Sequence, residues 1–373
     1  MKYYIIAGEA SGDLHGSNLI KEIRKKDPGA EIRAWGGDLM KNEGAVLVKH
    51  INELAFMGFV EVIKNIRTIF SNIRTCKNDI LSFKPDVVIF IDYPGFNLRI
   101  AEFCKQNNLR TVYYISPQVW AWHKSRVKKI RRDIDKMLVI LPFEKEFYKK
   151  YNYEVDFVGH PLLDALKQLT GEKDVALFRE RHQLPEKKII ALLPGSRKQE
   201  IASMLPVMAR TASLFPQYQF VIAATNAHTA EYYKSFIPGN THIPIIYGET
   251  YSVIQHADAA LVTSGTATLE TALIGTPQAV CYKAGFFSYH IAKWLVDLDF
   301  ISLVNLIMGR EVVKELIQND LNVKQLSAEL VRITENKEVR QEIAENYQLL
   351  RERSGGSGAS ENAANIICSF VKE

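Results

Sequence analysis

Four cysteines, Cys76, Cys104, Cys281 and Cys368, stand far apart in 373 residues with no C-x-x-C pair. That spacing excludes a disulfide framework and a zinc-ribbon site, and it points to a reducing compartment. Long apolar runs are missing as well. None approaches the ~20 residues of a membrane-spanning helix, so contact with a membrane would be peripheral. The apolar run after Met1 is cut short by Glu9 and Asp13, and reads as a first strand rather than a signal segment. Nor is there a strong charge of one sign: 47 Lys and Arg face 42 Asp and Glu, a net +5. That excess sits in one stretch, where Lys124, Arg126, Lys128, Lys129, Arg131, Arg132 and Lys136 outnumber Asp133 and Asp135. With 47% hydrophobic and 24% charged residues, collagen-like and disordered classes fall away.

What is present is alternation. Short β-branched runs (Tyr3–Ala7, Asp86–Ile91, Arg110–Ile115, Met137–Leu141) are each followed by a segment of helical period. Continuous apolar strands between helices mean a parallel sheet buried on both faces. The rhythm restarts after Gly159-His160-Pro161 with Lys188–Leu193, Gln219–Ala224, His242–Ile246, Ala259–Thr263 and Gln278–Tyr282. We expect an α/β chain of two facing Rossmann-like domains: 1–160, 161–350, and a segment 351–373 holding a Gly-Ser linker and a last helix with Ser360 as its N-cap. That linker would let the last helix cross back to the N-terminal domain or exchange with a second copy in a homodimer.

In open α/β sheets ligands lie beyond the carboxyl ends of the strands, so chemistry is sought there. The first strand ends in Gly8-Glu9-Ala10-Ser11-Gly12-Asp13-Leu14-His15, small residues that allow close backbone approach, with Ser11 or Asp13 as the cap of the following helix. His15 reads equally as a ligand-side, capping or packing histidine. The turn is not G-x-G-x-x-G, which weakens a dinucleotide reading. Asp92, straight after Val87–Ile91, is a carboxylate at the end of a buried strand, where burial raises its pKa into the range of a general base. Leu193-Pro194-Gly195-Ser196-Arg197 and Ser264-Gly265-Thr266-Ala267 are strand-to-helix turns suited to phosphate. Glu270 follows one turn into the second helix, where a carboxylate can take ribose hydroxyls. Two such turns in one half point to a nucleoside diphosphate donor. The D-x-D triplets Asp133–Asp135 and Asp297–Asp299 read as solvated helix carboxylates, so no metal and no cofactor is called for.

A second pattern lies in Met57–Leu81. On a helical wheel Phe59, Val62, Ile63, Ile66, Ile69, Phe70 and Ile73 cover roughly 180°, against the ~100° that a core-facing helix needs. Lys64, Arg67, Arg74 and Lys77 edge this face, as in an interfacial helix; a core helix with a solvated basic face is the alternative. Trp120 and Trp122 precede the basic stretch and suit a membrane interface better than stacked nucleic-acid bases, for which no RNA-binding motif is present.

Ala7–Asp13, Met57–Val62, Lys84-Pro85-Asp86 with Asp92, Ser116–Trp122, Phe157–Pro161, Leu193–Arg197, Ser264–Glu270 and Asn305-Leu306 with Gly309-Arg310 together resemble the lipid-A-disaccharide synthase family over nearly the whole chain. Val304 departs from it, standing where the family usually has proline. The resemblance implies a GT-B glycosyltransferase with an N-terminal acceptor domain and a C-terminal UDP-sugar domain. It implies transfer from UDP-2,3-diacylglucosamine to 2,3-diacylglucosamine 1-phosphate, with inversion, giving a β(1→6) disaccharide and UDP. It implies a peripheral enzyme at the cytoplasmic side of a Gram-negative inner membrane. Asp92 and Arg197 match residues needed for activity; Asn305 and Arg310 match cleft positions on the donor side; Glu9, Ser11 and His15 fall on the acceptor side. A UDP-N-acetylglucosamine 2-epimerase shares the fold, and a non-enzymatic lipid-binding module is the remaining alternative.

Overall fold

The computed structural model describes residues 1–54, 66–120, 126–167, 174–239, 241–283 and 299–373. Two compact units form: Met1–Asp164 with Ser354–Glu373, and Ala165–Arg353.

The first unit carries seven parallel strands: β1 (Lys2–Ala7), β2 (Glu31–Gly36), β3 (Val46–His50), β4 (Val87–Ile91), β5 (Thr111–Tyr114), β6 (Lys136–Val139) and β7 (Asp156–Phe157), in the order β3-β2-β1-β4-β5-β6-β7. β1 and β4 are buried almost throughout because helices cover both sheet faces. One face packs Tyr3, Ile5 and Ala7 against Leu19, Ile20, Ala363, Ala364 and Ile367; the other packs Tyr4, Ile6 and Trp35 against Ile73, Cys76 and Ile80. The helix Ala359–Lys372 is therefore a core element of the first unit. The second unit has six parallel strands, β8 (Ile189–Leu193), β9 (Gln219–Ala224), β10 (Ile245–Tyr247), β11 (Ala259–Thr263), β12 (Gln278–Tyr282) and β13 (Lys314–Ile317), in the order β10-β9-β8-β11-β12-β13. Both sheets are doubly wound, as their apolar strands foretell. Strand order reverses between β1 and β4, and between β8 and β11, and these switch points are where ligand crevices open.

Several expectations need correction. Ser360 is not an N-cap: the last helix begins at Ala359 behind Gly358, and the Asp164 carboxylate accepts from the Gly358 and Ser360 amides at 2.5 and 3.0 Å. Neither Ser11 nor Asp13 caps the helix Ala10–Lys26. Asp13 is buried and instead accepts from the amides of Gly37, Leu39 and Met40, capping the short helix Asp38–Asn42. The wide apolar face is split. Within the helix Ile66–Phe83, Ile73 lies in the core and Ile69 packs against it, because this helix covers the sheet; Phe70 stays 60% exposed. Ile73 is thus no membrane contact. Phe59 and Ile63, and the side chain of Ile66, fall outside the described residues. Trp120 is buried edge-on against Phe143 at 5.0 Å, not offered to a ligand or lipid; Trp122 lies outside the described residues. Asp133 is buried in an ion pair with Arg132, and Asp135 holds Lys105 and Thr111, so neither is a solvated carboxylate. Glu102 answers Lys129 and Arg132 at 2.9 Å each, so the protein neutralises part of its own basic stretch. Among the described residues no helix is long and apolar enough to cross a membrane.

Candidate active site

At the switch point of the second sheet lies a cavity of about 770 Å³. Its floor is the end of β8 and the end of β11. After β8, Gly195 takes φ +102°, and a Cβ there would stand 2.6 Å from Glu200 Oε2, so the turn requires glycine on both counts. The Ser196 and Arg197 amides, expected to be open for phosphate, donate to that same Glu200 carboxylate at 3.0 and 3.2 Å. The Arg197 side chain is 81% exposed, with Nη1 3.4 Å from Glu200 Oε1.

The turn after β11 differs. Gly265, at φ +155°, precedes the helix Thr266–Ile274 and brings no side-chain cap, so among the described residues no side chain answers the first amides of that nine-residue helix beside the cavity. The N–H groups and the aligned peptide dipoles of a helix start favour an anion. Glu270, one turn on, accepts from the Tyr251 hydroxyl at 3.0 Å. Burial pushes its carboxyl up and the Tyr251 bond holds it partly down. Gly195, Ser196, Arg197, Ser264, Gly265, Thr266, Ala267 and Glu270 all line this one cavity. Asn226, Gly248 and Tyr251 line it too. The turn after β10 that supplies Gly248 and Tyr251 has no phosphate-type pattern, so strand ends alone could have flagged it.

Asn305 and Arg310 line none of it. Asn305 is fully buried: its Nδ2 donates to Val313 O and Glu315 Oε1, and its Oδ1 accepts from the Val312 and Val313 amides. Both donors and both acceptor positions of that amide group are committed within the chain, to the turn before β13 and to Glu315, so the expected donor-binding role of Asn305 gives way to a structural one. Arg310 is exposed and donates to Asn346 Oδ1.

In the first unit, the ends of β1 and β4 meet at the other switch point. Asp92 (φ +44°) and Tyr93 (φ +50°) leave β4 in consecutive left-handed conformations. The Tyr93 ring lies flat over Gly8, where a Cβ would be 2.3 Å from the ring. Asp92 keeps an open face, yet crowding by the surrounding strand ends, aided by the Glu9 carboxylate, pushes its carboxyl up to about 6, against the pull of the Tyr93 amide. Glu9 and Ser11 are exposed at the start of the helix Ala10–Lys26. His15 is set deeper. Burial pushes it down to about 4, offset in part by Asp164, and its Nδ1 has no hydrogen-bond partner among the described residues. The neighbouring buried His160 is pushed down to about 3 by burial and by His15.

The lipid-A-disaccharide synthetase family model matches residues 3–370. The lipid-A-disaccharide synthase of Syntrophus aciditrophicus (strain SB) is 41% identical over 380 residues, covering 99% of this chain and 97% of that protein. That of Coxiella burnetii (strain CbuG_Q212) is 34% identical, with 98% of each covered. Among solved structures, the UDP-GlcNAc 2-epimerase from Neisseria meningitidis bound to UDP-GlcNAc superposes with a TM-score of 0.72 at 14% identity, covering 100% of both chains. The calicheamicin glycosyltransferase gives 0.62 at 16% identity, with 100% and 98% covered. At such identities the structural likeness speaks for the fold alone, two doubly wound units of the GT-B type. The whole-length sequence matches go further, and on them the chain belongs to the lipid-A-disaccharide synthase family of glycosyltransferases.

Proposed function

We propose that the chain joins UDP-2,3-diacylglucosamine to 2,3-diacylglucosamine 1-phosphate, forming a β(1→6) disaccharide 1-phosphate and UDP. The observation that carries this reading is the cavity at β8 and β11, where a helix start without a side-chain cap, an exposed arginine and a carboxylate converge. The diphosphate takes the Thr266 and Ala267 amides and the Arg197 guanidinium, while Glu270 takes the ribose hydroxyls. Glu200 already holds the Ser196 and Arg197 amides, so the β11 turn carries the larger share of the anion. The second unit is the donor domain on this reading, and the first, with Glu9, Ser11 and His15, is the acceptor domain.

Chemically the step is one displacement. The acceptor 6-hydroxyl oxygen attacks the anomeric carbon as its proton passes to Asp92. The bond from that carbon to the diphosphate oxygen breaks, and the electron pair leaves with UDP, inverting the centre. A carboxyl near 6 suits the base because it is ionised at neutral pH yet basic enough to accept a proton. Helix-dipole and guanidinium stabilisation of the leaving group requires no metal. Acylated substrates are drawn from a bilayer, so the enzyme works peripherally at the cytoplasmic face of the inner membrane, with Phe59, Ile63, Ile66 and Phe70 on the contact face.

The test is UDP release from UDP-diacylglucosamine with and without the acyl sugar phosphate. Release only with both substrates is expected. Release from the donor alone would point to epimerase-like chemistry, and no release to a lipid-binding module. Asp92→Asn should abolish product while UDP affinity persists.

A further inference from the structure

Asp92 stands on a turn that ought to be unstable. Two successive non-glycine residues in the left-handed region cost on the order of 1–3 kcal/mol each unless their surroundings impose the conformation. Here two buried side chains converge on one atom of the turn. The Asp92 carbonyl oxygen accepts from the Tyr113 hydroxyl at 2.5 Å and from Asn97 Nδ2 at 2.7 Å.

Both donors are fully buried and neither belongs to a recognised motif of the site. Tyr113 lies on β5 with its ring tilted against Phe90, 5.8 Å between centroids. Asn97 lies in the first turn of the helix Pro94–Gln106, and its Nδ2 is also 3.4 Å from the carbonyls of Ile6 and Ile91, the ends of β1 and β4. The Asp92 amide is taken as well, donating to Tyr114 O at 3.2 Å. Tyr93, sandwiched between Gly8 and Phe96, blocks the turn from flattening. An ordinary strand exit would leave the Asp92 carbonyl in the helix or in water, and the carboxyl would then have a different direction.

We propose that Tyr113 and Asn97 are positioning residues for Asp92, holding by its carbonyl the turn that fixes where its carboxylate stands. The inference rests on the reading of Asp92 as the base. Tyr113 is the sharper probe, since Tyr113→Phe keeps the ring and removes only the hydroxyl.

The experiment compares Tyr113→Phe, Asn97→Ala and Asp92→Asn with the native full chain, measuring kcat, KM for both substrates across pH, and thermal unfolding. Misplacing a catalytic group by about an ångström costs up to roughly a hundredfold, so Tyr113→Phe should lower kcat about tenfold or more with KM for the UDP-sugar nearly unchanged. Among the described residues the titratable groups facing Asp92 are Glu9, Tyr93 and Tyr113 itself. A loosened turn hydrates the carboxylate, so the acid limb of kcat should also move to lower pH. A lower melting temperature with native kcat and an unmoved acid limb, in either Tyr113→Phe or Asn97→Ala, overturns the positioning role. Native turnover by Asp92→Asn would instead overturn the base reading, so the two failures are distinct.

Discussion

Replacing Asn305 by alanine tests whether this residue serves the donor or the fold. The side chain makes four hydrogen bonds, at 2.9 Å to Val313 O, 2.9 Å to Glu315 Oε1, and 2.7 and 3.0 Å from the Val312 and Val313 amides. Alanine strands two buried backbone donors and one carbonyl, and leaves Glu315, among the described residues, with the Ile301 and Ser302 amides. Each buried unpaired group costs about 1–3 kcal/mol, and with partial relaxation the sum is about 3 kcal/mol. For a unit of this size that lowers the melting temperature by about 6–12 °C. The assay pairs thermal and urea unfolding with calorimetric UDP titration at a temperature where the variant is folded. The expected result is lost stability with a UDP Kd within about twofold of native. Native melting together with UDP binding weakened by about tenfold would refute the structural assignment.

Three further variants have expected outcomes. Ile73→Ser should cost about 3 kcal/mol, by emptying a core position and burying a hydroxyl, whereas Phe70→Ser should change stability by less than about 0.5 kcal/mol and reduce adsorption to anionic vesicles. Unchanged adsorption would remove Phe70 from the contact face. Glu144 is fully buried, and desolvation pushes its carboxyl up to about 8 despite the Ile140 and Leu141 amides. The folded chain therefore keeps a proton that the unfolded chain releases near 4.5. This group's share of stability is full below that value and is lost as pH rises through about 8. Glu144→Gln should accordingly gain on the native chain across this window in urea titrations; parallel curves would refute the shift.

The architecture was legible because it rests on local signals. β1, β4, β8 and β11 are runs such as Val87–Ile91 that only a doubly covered parallel sheet accommodates, and a strand end marks a crevice wherever strand order reverses. What escaped was set by partners that a local pattern does not name. Ser360 has the chemistry of a cap, yet Asp164, far away in sequence, takes the amides. Asp13 looked like the cap of its own helix and serves another. Ile73 and Phe70 share a wheel face that packing against the sheet divides. Glu200 fills the amide pair expected for phosphate because a carboxylate three residues ahead is the nearest anion. Asn305 matched a family position, and a match carries identity without saying whether the amide faces a ligand or the backbone.

The helix Ala359–Lys372 belongs to the first unit, although residues 165–353 form the second. The second unit is thus an insertion, and its two ends are pinned together by the bond from the His160 amide to Ser354 O at 2.9 Å. This has a consequence for synthesis. The second unit emerges from the ribosome contiguous and can close its sheet at once. The first must wait for Ala363, Ala364 and Ile367 to cover one face of β1. At about 5–20 residues per second that delay lasts roughly 10–40 s, during which an apolar sheet face lies open to chaperones and to other nascent chains.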